Sequence, residues 1–172
     1  MLELRECIVE DLGGDWLSYF PESSTSLVSL DFSCLDSEVK ISDLERLVSR
    51  SPNLKSLKLN PAVTLDGLVS LLRCAPQLTE LGTGSFAAQL KPEAFSKLSE
   101  AFSNCKQLQS LSGLWDVLPE YLPALYSVCP GLTSLNLSYA TVRMPDLVEL
   151  LRRCSKLQKL WVSILHFSRL FE

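Results

Sequence analysis

The chain has 172 residues, 47% of them hydrophobic, and carries 16 Lys and Arg against 20 Asp and Glu, a formal net charge of −4. This mixed, mildly acidic balance argues against nucleic acid as a general partner, because phosphate binding needs a basic face. No apolar run reaches the roughly 18 residues of a membrane span, and the charged opening MLELRECIVED has no secretory core, so an intracellular protein is expected.

Leu2 and Leu4 match the second and third positions of a phrase, Leu-x-x-Leu-x-Leu, that recurs downstream. Its first position would precede Met1, so the chain is expected to open inside a repeat. Residues 7–20 should supply a return segment and a short helix, with Gly13 and Gly14 as a turn. Trp16, Leu17 and Phe20 stand at helical spacing and should face the core. Pro21 and the hydroxyl run at residues 23–26 then break the chain before the first full phrase, Leu27/Leu30/Phe32. The clearest statement of the phrase is SPNLKSLKLN (residues 51–60), with Leu54, Leu57 and Leu59 behind Pro52. It returns as Leu78/Leu81/Thr83, Leu108/Leu111/Gly113, Leu132/Leu135/Leu137 and Leu157/Leu160/Val162, and the first leucines are 27, 24, 30, 24 and 25 residues apart. A period of roughly 20–30 residues with this spelling marks a leucine-rich repeat. Each unit is a strand plus a helix that cannot bury its apolar face alone, so the expected fold is α/β: a leucine-rich-repeat solenoid in the form of an incomplete horseshoe. Parallel strands should line the concave face and helices the convex one. Residues 1–162 should hold about six repeats, the first truncated, and residues 163–172 an irregular tail.

Between the phrases, helical faces are legible. Ser42-x-x-Glu45 reads as a capping box, followed by Leu44, Leu47 and Val48 on one face. Leu65, Leu68, Leu71 and Leu72 form the next face; Phe95, Leu98, Ala101 and Phe102 another; Leu147, Leu150 and Leu151 the last. Trp115, Leu118, Leu122, Leu125 and Val128 read as a further helix shortened by Pro119 and Pro123. Pro52, Pro76 and Pro130 each stand two residues before a first leucine and should stop the preceding helix.

Little here suggests chemistry. Cys74, Cys105, Cys129 and Cys154 each precede a first leucine by three or four residues, and one position used once per repeat reads as a small apolar plug. Metal ligation needs convergent ligands, and disulfides suit neither the spacing nor a reducing compartment. Gly82-Thr-Gly84 lacks the rest of a phosphate loop and is expected to be a turn. His166, the single histidine, lies in the irregular tail with no nucleophile to serve. Asn136-Leu-Ser138 spells a glycosylation site that an intracellular strand makes inert. Arg152, Arg153, Lys156 and Lys159 form a basic group best explained as cations at a helix C-terminus. No catalytic, metal or cofactor-binding residue is assigned, and a non-enzymatic protein is expected.

Strand side chains alternate, so the residues between buried leucines should point into the hollow. The central row is then Asp31, Lys58, Gly82, Ser112, Asn136 and Trp161, flanked by Ser29, Ser56, Ser110 and Ser134. Lys58 should face Asp31 on the neighbouring repeat, and as a surface residue its loss should cost under about 0.5 kcal/mol. A highly charged phosphate ligand needs several convergent Arg or Lys, which this row does not offer.

Four segments, LERLVSRSPNLKSLKLN (residues 44–60), APQLTELGTGSF (75–86), LPALYSVCPGLTSLNLSYATV (122–142) and KLQKLWV (156–162), resemble the transport inhibitor response auxin receptors, plant F-box proteins with a leucine-rich-repeat horseshoe. The resemblance runs from about residue 3 to residue 162 and includes irregular parts such as the insertion at residues 82–92. It implies the substrate-recognition subunit of a Skp1–cullin–F-box ubiquitin ligase, acting in the nucleus. In that family auxin fills a gap between receptor and an Aux/IAA-type transcriptional repressor, inositol hexakisphosphate supports the pocket floor, and the repressor is ubiquitinated and degraded. The family's F-box, which docks the Skp1-type adaptor, and its hormone- and phosphate-binding residues lie outside the matched span. The resemblance therefore assigns this chain no ligand-binding residue and no cofactor, and implies a middle section of such a receptor, whether from a truncated gene model, a partial transcript or a shortened paralogue. The alternative is a stand-alone repeat scaffold that binds another protein on its hollow face.

Overall fold

In a computed structural model, which describes residues 2–3, 14–86 and 92–163, the repeated phrase becomes one sheet. Strands β1 (Leu2–Glu3), β2 (Ser29–Asp31), β3 (Ser56–Lys58), β4 (Glu80–Gly82), β5 (Ser110–Ser112), β6 (Ser134–Leu137) and β7 (Lys159–Val162) pair in parallel, in sequence order. Among the described residues, the connections pass through the opposite layer. That layer holds a 3-10 helix at Asp15–Tyr19, α1 (Ile41–Ser49), α2 (Leu65–Cys74), α3 (Pro92–Asn104), 3-10 turns at Pro119–Leu125 and Cys129–Gly131, and α4 (Met144–Arg153). Strand-then-helix repetition with neighbours stacked in order is the leucine-rich-repeat solenoid expected from the period.

The register follows the leucines. Leu30, Leu57, Leu81, Leu111, Leu135 and Leu160 are matched strand to strand, and all but Leu160 are fully buried between sheet and helices. Parallel strands hold equivalent residues in rows, so one slipped residue would turn a whole set of leucines out to water. The first and third positions sit behind them: Leu54 and Leu59 are buried, as are Leu78, Leu108, Leu132 and Leu137. Thr83, which replaces a leucine, is buried because its Oγ1 accepts the Leu114 amide at 2.7 Å. Asn60 closes its own repeat: it is 1% exposed, and its Nδ2 donates to the Leu35 and Ser37 carbonyls at 2.8 Å each.

The helical faces at Leu44, Leu47 and Val48, at Leu65, Leu68, Leu71 and Leu72, and at Leu98, Ala101 and Phe102 are all buried. Pro119 and Pro123 do shorten their segment, which forms a 3-10 turn and no α-helix. Trp16 meets Phe32 edge-on at 5.5 Å between ring centroids and stands 6.5 Å from Phe20, and Leu17 is buried. Gly14 takes φ +73° at the start of that 3-10 helix. Cys7, Gly13, the central part of the 82–92 insertion and the tail beyond residue 163, including His166, lie outside the described residues.

Three expectations are corrected. Ser42 is not the start of a capping box: α1 begins at Ile41 with Lys40 as N-cap and no side-chain cap. The position is set by Ile41, which packs against the core beside Gly67, and by a 2.7 Å bridge from Lys40 Nζ to Asp15. Gly82-Thr-Gly84 does not turn. The Thr83, Ser85 and Phe86 amides donate to the Ser112, Val63 and Trp115 carbonyls, and a side chain on Gly84 would collide with the Val63 carbonyl. Trp115 belongs to no helix; it forms a parallel bridge with Ser85, because Gly113 (φ +80°), Leu114 (φ +52°) and Asp116 (φ +58°) bend the backbone sharply around it.

Candidate functional site

Alternation along the strands leaves one sheet face open. The pairs Asp31–Lys58, Lys58–Gly82, Gly82–Ser112 and Asn136–Trp161 are in register, so the central row stands as the sequence places it. The flanking row runs Ser29, Ser56, Glu80, Ser110, Ser134 and Lys159. Glu80 and Lys159 were missed as members, although each lies two residues before a central-row residue and so on the same face.

Glu80 changes the electrostatics. Lys58 Nζ lies 3.1 Å from Glu80 Oε1 and 3.7 Å from Asp31 Oδ2. Glu80 Oε2 also accepts from Ser56 Oγ at 2.8 Å, and Asp31 Oδ1 accepts from the Ser33 amide at 3.1 Å and its hydroxyl at 2.7 Å. The row's one lysine therefore bridges two carboxylates on adjacent repeats. The face is not neutral here, as its composition suggested: among the described residues, Lys58 lies between two carboxylates. Because the Asp31 side chain is only 9% exposed, removing Lys58 leaves a buried carboxylate with its Ser33 hydrogen bonds but without its cation, and the cost should exceed the sequence expectation. Lys58→Ala should destabilise by about 1 kcal/mol, between the surface and buried ion-pair limits, and a Lys58→Met comparison in urea melts separates charge from packing.

Beyond the ends of β5 and β6, Trp115 and Tyr139 stack with centroids 3.7 Å apart and planes 16° from parallel. Tyr139 and Trp161 are about half exposed, at 52% and 47%. Asn136 Oδ1 accepts the Ser138 amide at 2.9 Å, so this asparagine ties down the strand end.

The basic group separates by element. Arg153 reaches Glu149 through Nε at 3.1 Å and Nη2 at 2.7 Å and covers the Tyr126 ring at 4.2 Å. Arg152 Nη1 lies 3.8 Å from Glu149. Both belong to the last turn of α4, as the helix-dipole reading expects. Lys159 differs: it opens β7 and stands in the flanking row. Nothing here converges on an anion.

Three of the four cysteines at the repeated position behave as buried plugs, and Cys74 is partly buried. Cys105, Cys129 and Cys154 are buried, and the described cysteines are free thiols. Cys105 and Cys129 donate to the Ala101 and Leu125 carbonyls four residues back. Burial pushes the Cys105 thiol up to about 11, and the hydrogen bond to Cys154, followed by burial, raises Cys129. Both stay protonated at neutral pH and are poor nucleophiles. Among the described residues no group of three or more His, Cys, Asp or Glu is placed to hold a metal, and no helix is long and apolar enough to cross a membrane.

No family model matches the sequence. Curated proteins do match, and two of them bear most directly on the family. GRR1-like protein 1 of Arabidopsis thaliana is 99% identical over 162 residues, covering 94% of this chain and 28% of that protein. A transport inhibitor response 1-like protein of Oryza sativa subsp. japonica is 61% identical over 161 residues, covering 94% of this chain and 27% of that protein. The chain thus spans about a quarter of the length of these relatives. Among solved structures, the TLR13–ssRNA13 complex matches with a TM-score of 0.56 at 19% identity, over 84% of this chain and 20% of that one. A likeness at that identity speaks for the shared repeat fold alone.

Proposed function

This chain belongs to the transport inhibitor response 1-like family of plant leucine-rich-repeat proteins, and from that we propose that it forms a section of the repeat wall of an auxin-receptor F-box protein. The observation that carries the reading is the 61% identity to the rice relative over 161 residues. In this reading the whole protein is the substrate-recognition subunit of a Skp1–cullin–F-box ubiquitin ligase in the nucleus. Auxin and an Aux/IAA-type repressor meet on its horseshoe, inositol hexakisphosphate sits beneath them, and the Skp1-type adaptor docks on the F-box. All four engage residues outside this chain. Residues 14–163 are non-catalytic; their work is to hold the horseshoe's curvature and the spacing between its two ends.

The open face supports this assignment. Its central-row lysine is committed to Asp31 and Glu80, Lys159 stands apart on β7, and a carboxylate or phosphate ligand needs an uncommitted arginine fork or basic cluster. A rigid stack of parallel repeats makes a good spacer, because each unit is fixed by its two neighbours.

The test is a chimera. The matching 161 residues of the rice relative are replaced by those of this chain, and auxin-dependent capture of a repressor degron peptide is measured. Retained, hormone-dependent capture is expected. A folded chimera that captures the peptide without hormone, or not at all, overturns the reading in favour of a repeat scaffold with a different partner.

A further inference from the structure

Arg50 follows the last turn of α1, where its amide bonds back to the Arg46 and Val48 carbonyls. Its side chain is 14% exposed. Nη2 donates to the Phe20 carbonyl at 3.0 Å, but Nε and Nη1 are buried without a hydrogen-bond partner. Orphaned donors on a buried guanidinium are costly, since the charged group loses water and gains nothing in return. The nearest anion is Glu22, whose Oε1 stands 3.7 Å from Nη1, on a side chain 85% exposed. That distance is beyond hydrogen-bond reach, so an anionic oxygen already waits at the edge of the guanidinium without satisfying it.

Glu22 is followed by four hydroxyl residues, Ser23, Ser24, Thr25 and Ser26. The Ser24 amide donates to the Pro21 carbonyl at 2.9 Å, and the Thr25 amide to the Ser23 carbonyl at 2.9 Å. Ser23 and Ser24 therefore sit within one tight turn that also carries Glu22. Ser23 is exposed and Ser24 half-buried.

We propose that this turn is a phosphorylation site, with Ser23 or Ser24 as acceptor and Arg50 as the receiver of the phosphoryl group. The serine Oγ attacks the γ-phosphorus of a nucleoside triphosphate held by a separate protein kinase. The Oγ–P bond forms, the bond to the β-phosphate breaks, the nucleoside diphosphate leaves, and the hydroxyl proton passes to the kinase's base. The product adds a charge of about −1.5 to −2 and three strong acceptor oxygens. These match the planar donor fork of Arg50, which a single carboxylate oxygen at 3.7 Å does not. The consequence is a clamp: the turn before β2 is pinned to the C-terminal end of α1, beside Phe20 and the Trp16–Phe32 ring contact.

The test places phosphoserine by genetic encoding at residue 23, at residue 24 and, as a reference beyond the turn, at residue 26 of the full 172-residue chain. Phosphorus NMR titration then reads the second phosphate ionisation in the Arg50 chain, in Arg50→Lys and in Arg50→Gln, with circular dichroism confirming the fold. An unpaired phosphoserine titrates near about 6. At residue 23 or residue 24 the value should fall by about 0.5 units or more, lose most of that shift in Arg50→Lys and all of it in Arg50→Gln. Arg50→Lys keeps the charge without the fork, so it decides the matter if Arg50→Gln does not fold. Titration at about 6 at both positions, or a lowered value that survives both substitutions, overturns the proposal.

Discussion

Leu57→Ala is expected to destabilise the fold by roughly 2–5 kcal/mol, the usual range for a buried leucine cavity, and Leu135→Ala by a similar amount. Both side chains are fully buried, and both belong to the row in which leucine follows leucine from β2 to β6. Neighbouring repeats are locked above and below, so the cavity collapses poorly, which favours the upper half of the range. The contrast with Lys58, the next residue, is the informative one. A chain direction that alternates faces predicts a several-fold difference between adjacent positions. Urea melts read at constant m-value would show it. Equal losses at Leu57 and Lys58 would mean that the inward and outward rows are misassigned.

Gly113→Ala should be nearly as damaging, at roughly 2–4 kcal/mol, because two penalties coincide. Its φ of +80° is a left-handed geometry that a side chain resists, and an added Cβ would collide with the Thr83 backbone. Neither penalty can be relieved by rotating a neighbour, since the obstacle is main chain. Thr83 is itself held by the Leu114 amide at 2.7 Å. Loss of the Trp115–Tyr139 stack, visible in near-ultraviolet circular dichroism, should accompany the destabilisation. An Ala variant as stable as the parent, with the aromatic signal intact, would show that this bend is more permissive than its geometry implies.

The solenoid was legible because burial between two layers imposes residue type at fixed spacing. Leu30, Leu57, Leu81, Leu111 and Leu135 announce the sheet, and the proline before a first leucine announces the end of a helix. What periodicity conceals is anything set by a partner distant in sequence. Ser42 spells a cap, but α1 starts at Ile41 because that side chain has a place against α2. Trp115 sits at helical spacing from Leu118 and Leu122, yet positive φ on both sides sends it to Ser85 and Tyr139. Glu80 was readable by counting two back from Gly82, and overlooking it made the open face look neutral. Arg50 left no sequence signal: only the fold shows that the residue after α1 buries a guanidinium beneath the Phe20 carbonyl.

The central claim is that this stretch of repeats is wall and not pocket. The central lysine of its open face is bridged by Asp31 and Glu80, and on the opposite layer the α4 arginines are spent on Glu149. Titration calorimetry of the 172-residue chain with auxin, and separately with inositol hexakisphosphate, addresses the claim directly. No saturable heat is predicted for either ligand. A saturable isotherm of micromolar affinity for either one would place a binding site within residues 1–172 and contradict the account.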